Sequence, residues 1–427
     1  MPIPSATFAL PVFLAVLPLS AASFRASAAK VDITPQSPQW LLGYGPRQST
    51  GVHDRIYHRV IALDDGRTQF FLVSSDLCLF SPELYDEVAS TLQQEGIERK
   101  QFWWSVTHTH SAPEVGPPGV YKVLLKGRSD HEWDRAYTAK IKSSVVQAIK
   151  DARDKLEPAR LRTGVGMSLA NINRRAKDID GKISLGLNPD GPVDRQIGLL
   201  RLERPDGSLI ALAANYAIHG TVLSGANTAI SGDAPGVVAD YLERTLGAPV
   251  LFINSAAGNA APIYSVYPTP SAGHLTEFRV LLGDRILEAN RQLTKGSADI
   301  NLRLDELVVE TALKPGLEWP PELARYARTE DSGRVLIRLP VRILRLNDAV
   351  IWSAPVELFS EIAIEVRARS PFAHTLYFGY TNGWFGYLPT AKAFAEGGYE
   401  PQTSPFSDSA EGDLTRQLVT FLQGGGQ

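Results

Sequence analysis

Two histidines stand two residues apart in the stretch WWSVTHTHSAPE (103–114), just where an aromatic, strand-like run gives way to small hydroxyl residues. In an extended segment such residues point to the same side, about 7 Å apart along the backbone. His108 could then bind a metal while His110 faces the same cavity to hydrogen-bond a substrate or transfer a proton. A plain alternative is a pair of core or surface histidines bonded to backbone, and an isolated His-Thr-His does not exclude it.

The same arrangement recurs along the chain. His219 follows ALAANYAI, the Gly/Asn loop AAGNAAP (256–262) follows VLFINS, and Glu357 follows AVIWSAP. Ligands of α/β sheets bind beyond the carboxyl ends of strands, so these segments can converge on one crevice. His219 taken alone reads as a satisfied polar group at the core edge. Glu357 differs, because the apolar residues around it imply burial, and an ionised carboxylate buried without a partner is costly. A cation or an arginine would solve that problem. Histidine, histidine and carboxylate with an open position make a hydrolytic zinc site, in which the metal lowers the pKa of bound water to about 7. The sequence holds no HExxH, no clustered Cys/His pairs and no GxSxG elbow, and GVGM (164–167) is too short for a dinucleotide or phosphate loop.

Elements able to position these residues are legible. Residues 59–65 and 69–77 are predicted strands joined by a turn at Asp65-Gly66, 82–96 a helix opened by proline, and 102–106 the next strand. A second helix is expected over 134–155, further strands over 208–218, 249–255 and 348–354, and a helix over 236–247. Strands alternating with helices predict an α/β fold, one catalytic domain with a mixed β-sheet core and flanking helices. The only seam, TKGSAD (294–299), precedes alternating runs at 300–310 and 334–347, expected as an antiparallel addition to the same core. The domain is therefore taken as 23–427.

Composition narrows the function classes. The chain has 427 residues, 44% hydrophobic and 21% charged, with a formal net charge of -3, and this balance argues against nucleic acid or an anionic membrane as partner. A small-molecule or lipid-like substrate is expected. The apolar run at 8–19 is too short and too broken by proline for a membrane span, and SAAS follows it, so 1–22 is predicted to be a secretory signal and the protein to be exported, to the periplasm or beyond. Cys78 is the only cysteine, which excludes an intramolecular disulfide. The oligomeric state is not encoded in any pattern found here.

The segments THTHSAP (107–113), NINR (171–174), NYAIHGT (215–221), SGDAPG (231–236), PVELF (355–359) and GYTNGWFGYLPT with GGYE (379–400) together resemble the neutral/alkaline ceramidases and their bacterial relatives, and VDITP and LLGYG fit too. The resemblance implies an α/β catalytic domain with one zinc ion and hydrolysis of the ceramide amide. It implies His108, His219, Glu357 and Tyr387 as zinc ligands, with His110, Arg174 and Tyr399 facing the same cavity as catalytic residues. Asp233 in SGDAPG is expected either to orient His219 or to cap the following helix.

Two departures from the family pattern accompany it. Ala261 occupies the position of a serine proposed as nucleophile or substrate contact, and the chain is expected to stop before the family's C-terminal β-sandwich. The implied chemistry is amide hydrolysis by zinc-activated water. Hydrolysis of an ester or glycan-linked bond on the same scaffold, and a non-catalytic exported binding module, stand as alternatives.

Overall fold

A computed structural model describes residues 24–263, 272–294 and 296–424. The expected signal, residues 1–22, lies outside the described residues. The first sheet runs β1 (Arg25–Asp32), β2 (Tyr57–Asp64), β3 (Gln69–Ser75) and, after helix α1 (Pro82–Gln94), β4 (Phe102–Val106), in spatial order β4-β3-β2-β1. β2 and β3 form a tight antiparallel hairpin because Asp64 accepts from the Gly66 amide at 2.6 Å and Asp65 from those of Arg67 and Thr68, at 2.9 and 2.7 Å. Ser81 caps α1 by accepting from the Glu83 amide, and Pro82 takes the first helical position, where no amide hydrogen is needed. Leu84, Tyr85, Val88, Ala89 and Leu92 give α1 its buried stripe. Asp134 caps α2 (Arg135–Asp154), which lies across β1 and β2.

Next come β5 (Arg160–Met167), β6 (Asn171–Lys177), β7 (Ile183–Asn188), β8 (Gln196–Glu203), β9 (Leu209–Tyr216), α3 (Asp233–Leu246), β10 (Val250–Asn254) and β11 (Ala260–Pro262). They form one sheet ordered β10-β9-β8-β5 and a smaller one ordered β11-β6-β7. The helix expected from residue 236 begins three positions earlier, since Pro235 suits its first turn.

The last part supplies β12 (Leu302–Ala312), β13 (Val335–Leu346), β14 (Ala349–Ser353), the two-residue β15 (Glu357–Leu358), α4 (Ser360–Arg369), β16 (His374–Phe378), the two-residue β17 (Tyr387–Leu388) and α5 (Ala410–Gln423). β12 and β13 pair antiparallel, as expected, in a sheet ordered β12-β13-β14-β16. Sheets that mix parallel and antiparallel pairs, flanked by helices, bear out the α/β class. One apolar cluster draws Leu72, Ala213, Leu251, Leu344 and Phe378 from the three larger sheets, so their faces share a core.

Three strand-helix-strand crossovers matter most for the site. β3-α1-β4, β9-α3-β10 and β14-α4-β16 each join neighbouring parallel strands, and the carboxyl ends of β4, β9, β14 and β16 lead into the candidate residues. Asn254, at the end of β10, ties two of those ends together, donating to the carbonyls of Thr107 at 3.1 Å and Ile218 at 2.7 Å. Among the described residues no helix is long and apolar enough to cross a membrane.

Histidine 58 is fully buried in β2, its Nδ1 2.6 Å from Ser75 Oγ and its ring edge-on to Trp104. Burial, with Lys140 adding repulsion, drives its pKa down to about 3, below the ordinary 6.5. The unfolded chain therefore binds this proton more tightly, and the stability contributed by neutral His58 is complete above pH 6.5 and lost as pH falls toward 3. Denaturant titrations are expected to lose roughly 3 kcal/mol between pH 6.5 and 4 on this account. A His58→Gln variant should show a flatter pH profile over that window, and an unchanged slope would remove His58 as the cause.

Candidate metal centre

His108 follows β4 directly, but the chain does not stay extended there. Its φ is +64°, a left-handed conformation that turns the ring inward. The expected side-by-side histidines thus become a pair whose Nε2 atoms lie 3.2 Å apart, with rings edge to face. Gly220 makes this close approach feasible. A Cβ there would sit 2.6 Å from Thr109 Cα and 2.7 Å from the His108 carbonyl oxygen, and the two segments exchange backbone bonds from His110 to Gly220 and from Gly220 to His108.

Each candidate imidazole is oriented by a main-chain carbonyl. His108 Nδ1 is 2.9 Å from the Cys78 oxygen and His219 Nδ1 is 3.0 Å from the Ala260 oxygen. A proton on each Nδ1 fixes the tautomer and leaves both Nε2 lone pairs free. These lone pairs face the same carboxylate oxygen: Glu357 Oε2 lies 3.3 Å from His108 Nε2 and 3.1 Å from His219 Nε2. Glu357 is held in turn by the Trp384 indole N–H, which donates to Oε1 at 2.9 Å, and by the Tyr380 hydroxyl, which donates to Oε2 at 3.3 Å. Tyr380 also stacks on the His108 ring, with centroids 4.2 Å apart.

Tyr387 reaches the group through a two-residue parallel ladder that places it opposite Glu357. Arg174, from β6, contacts three members at once, donating Nη2 to the Tyr387 hydroxyl at 3.1 Å and Nε to Glu400 at 2.9 Å, with Nη1 2.9 Å from His219 Nε2. Glu400 also takes a 2.7 Å bond from Arg175, so one buried carboxylate holds two guanidinium groups. Tyr399 is more peripheral, its ring 5.7 Å from Tyr387 and its hydroxyl 3.5 Å from Arg128 Nη1. The seven residues expected as ligands or catalytic groups therefore gather at one place. Asp233 does not orient His219. It accepts from the amides of Val222, Leu223 and Ala234, fastening the loop after His219 to the start of α3.

The residues present fit a divalent cation. His108, His219 and Glu357, all buried, offer ligand atoms within 4.8 Å of one another, and both imidazole Nε2 atoms face one carboxylate oxygen. Imidazole and carboxylate donors suit zinc. Burial opposes charge on His108, yet the Glu357 carboxylate lifts its pKa to about 10. Burial and then Arg174 push His219 down to about 3. Burial would raise Glu357, but the two histidines hold it well below the usual carboxylate range.

Cys78, Ala260, Tyr380, Trp384 and Glu400 were not assigned roles from the sequence. Only Trp384 gave a signal, since an indole N–H in an apolar run needs an acceptor.

Residues 24–256 match the family model described as neutral/alkaline non-lysosomal ceramidase, N-terminal. Neutral ceramidase B of Dictyostelium discoideum is 29% identical over 243 residues, 53% of this chain and 32% of that protein. Neutral ceramidase of Pseudomonas aeruginosa is 25% identical over 263 residues, 57% of this chain and 38% of that protein. The matched segments thus span well under half of these curated relatives. The crystal structure of neutral ceramidase from Pseudomonas aeruginosa superposes with a TM-score of 0.74 at 20% identity, covering 93% of this chain and 74% of that one.

A proton on His108 occupies the place a cation would take, so metal uptake must release it, and affinity should rise with pH. Competition titrations with zinc at pH 6, 7 and 8 are expected to show roughly tenfold tighter binding per pH unit while one proton is displaced. A pH-independent affinity would contradict the arrangement. Trp384→Phe, which removes one bond to Glu357, should weaken zinc binding by about 10- to 100-fold, measured in the same titration.

Proposed function

Because the chain belongs to the neutral/alkaline non-lysosomal ceramidase family, we propose that it is a zinc-dependent hydrolase that cleaves the amide of an N-acyl lipid or related N-acyl compound. The observation that carries this proposal is the meeting of His108 Nε2, His219 Nε2 and Glu357 Oε2 in a buried group whose two imidazoles are each oriented by a backbone carbonyl. These three and Tyr387 would hold the ion. Zinc, when bound, supplies Lewis acidity that polarises a carbonyl oxygen and lowers the pKa of water to about 7.

The chain's own groups bind, orient and move protons. Arg174, held by Glu400, presents its remaining donors to the negative charge that develops on the scissile carbonyl oxygen. Tyr399 adds a hydroxyl at the periphery for a substrate polar group. His110 accepts a proton from the attacking water and returns it to the leaving amine. Burial, with His108 and His219 beside it, keeps its pKa well below the ordinary range, so the imidazole starts neutral. Ala261 is buried in β11 and brings no hydroxyl. A serine nucleophile has no place there, and water fills that role. Relatives named neutral ceramidases support the N-acyl class of substrate. Export, from the apolar run at 8–19, belongs to the same proposal.

Purified zinc-loaded protein should be assayed against N-acyl amides and the ester of the same acyl chain. Amide cleavage is expected, abolished in Glu357→Gln together with bound zinc. His110→Gln should keep the zinc and lose about 10²- to 10⁴-fold in kcat. Cleavage of the ester without any amide would replace the amidase with an esterase, and no cleavage of either would favour a binding module.

A further inference from the structure

The fully buried arginines of this chain sit beside carboxylates. Arg59 holds Asp76 and Glu243 at 2.7 and 2.8 Å, Arg174 and Arg175 share Glu400, and Arg342 is paired with Glu306. Two half-buried arginines around the candidate metal centre depart from that pattern, and neither forms an ion pair among the described residues.

Arg47 lies over the ring of Tyr44, 4.8 Å from its centroid, and Tyr44 in turn packs edge-on against His110 at 4.9 Å. One edge of its guanidinium is spent on backbone, with Nε donating to the Asn227 carbonyl at 2.9 Å and Nη2 to that of His110. Its Nη1 is shielded from solvent and has no hydrogen-bond partner among the described residues. Arg128, on the Tyr399 side, makes only a long 3.5 Å contact to the Tyr399 hydroxyl. The buried hydroxyl of Tyr121, whose ring lies 5.9 Å from that of Trp384, also has no partner among the described residues, and neither does His110 Nδ1.

The buried carboxylates Glu114, Glu400 and Glu357 are already engaged. Glu114 bonds His131 at 2.6 Å, Glu400 bonds the two arginines, and Glu357 belongs to the metal group. What remains is a set of donors with two uncompensated positive charges in a poorly solvated setting. Guanidinium groups so placed match a carboxylate or phosphate oxyanion, and hydrogen bonds to charged groups are the stronger ones.

We propose that the compound handled by this site carries an oxyanion, received by Arg47, Arg128 and the Tyr121 hydroxyl, so that the substrate is an N-acyl molecule with a negatively charged head. This assignment takes its location from the hydrolase reading and narrows that reading to charged substrates. It is tested by binding, which separates the two.

Calorimetric titration of the zinc-loaded protein should use N-octanoylglycine, N-octanoylaminomethylphosphonate and the uncharged N-octanoylglycinamide. At least one charged compound is expected to bind ten times or more tighter than the glycinamide, and which of the two binds better identifies carboxylate or phosphonate as the preferred group. The preference should shrink in added salt and fall at least fivefold in Arg47→Gln and in Arg128→Gln, with part of it restored in Arg128→Lys. Near-ultraviolet circular dichroism of each variant establishes that it is folded. Equal binding of charged and uncharged compounds, or a preference untouched in folded Arg128→Gln, would overturn the anion site. A charge preference with no amide turnover would support the anion site and defeat the hydrolase reading, whereas turnover with no charge preference would do the reverse.

Discussion

A carboxylate with almost no solvent contact organises this protein. Removing such a charge from water costs several kcal/mol even after relaxation, and Glu357 at 2% exposure bears that cost in full. The surrounding groups make it tolerable. An indole N–H and a phenol donate to it, two imidazoles face it, and Arg174 approaches through His219 and Tyr387. The phenol and the indole come from the segment between β16 and β17, the imidazoles from the ends of β4 and β9, and the guanidinium from β6, so satisfying one side chain requires several sheets to meet correctly.

That requirement explains the close tailoring of the backbone around it. Gly258 donates to the Leu358 carbonyl at 2.8 Å, and a Cβ on it would lie 2.6 Å from the backbone carbonyl oxygen of Glu357. Asn254 and Gly220 do the equivalent for the β4 and β9 ends. The loops that carry the chemistry are thus laced to one another by main-chain bonds before any ligand is considered, which is how a site on loops acquires the rigidity of its scaffold.

Much of this was legible in the sequence, and the limits are physical. The strands at 59–65, 102–106 and 249–255 were readable as short apolar runs because both of their faces are buried, and the helices from 82 and 134 because one-sided burial leaves periodic apolar residues and because Pro82 and Asp134 mark their starts. His108, His219 and Glu357 stood out because each follows a buried strand at once. Their mutual geometry was not readable, because a single left-handed residue at His108 converts a pair expected to lie side by side into one with facing nitrogens. Tyr387 could be placed only through a family resemblance, since its position depends on a two-residue ladder too short to leave a pattern. Asp233 could be left only between two roles, orienting His219 or capping the following helix, because an acid near a histidine in sequence says nothing about which backbone amides compete for it.

The two carbonyl acceptors behind His108 and His219 have an evolutionary consequence. They belong to the main chain of Cys78 and Ala260, so the orientation of each imidazole depends first on where the backbone runs, although at position 78 the thiol also lies 3.9 Å from His108 Nδ1. Ala260 can be exchanged for a residue of similar size without rewiring its imidazole, whereas a carboxylate acceptor would have tied that ligand to one residue type. Robustness of the imidazoles to substitution nearby is therefore built into the path of the chain.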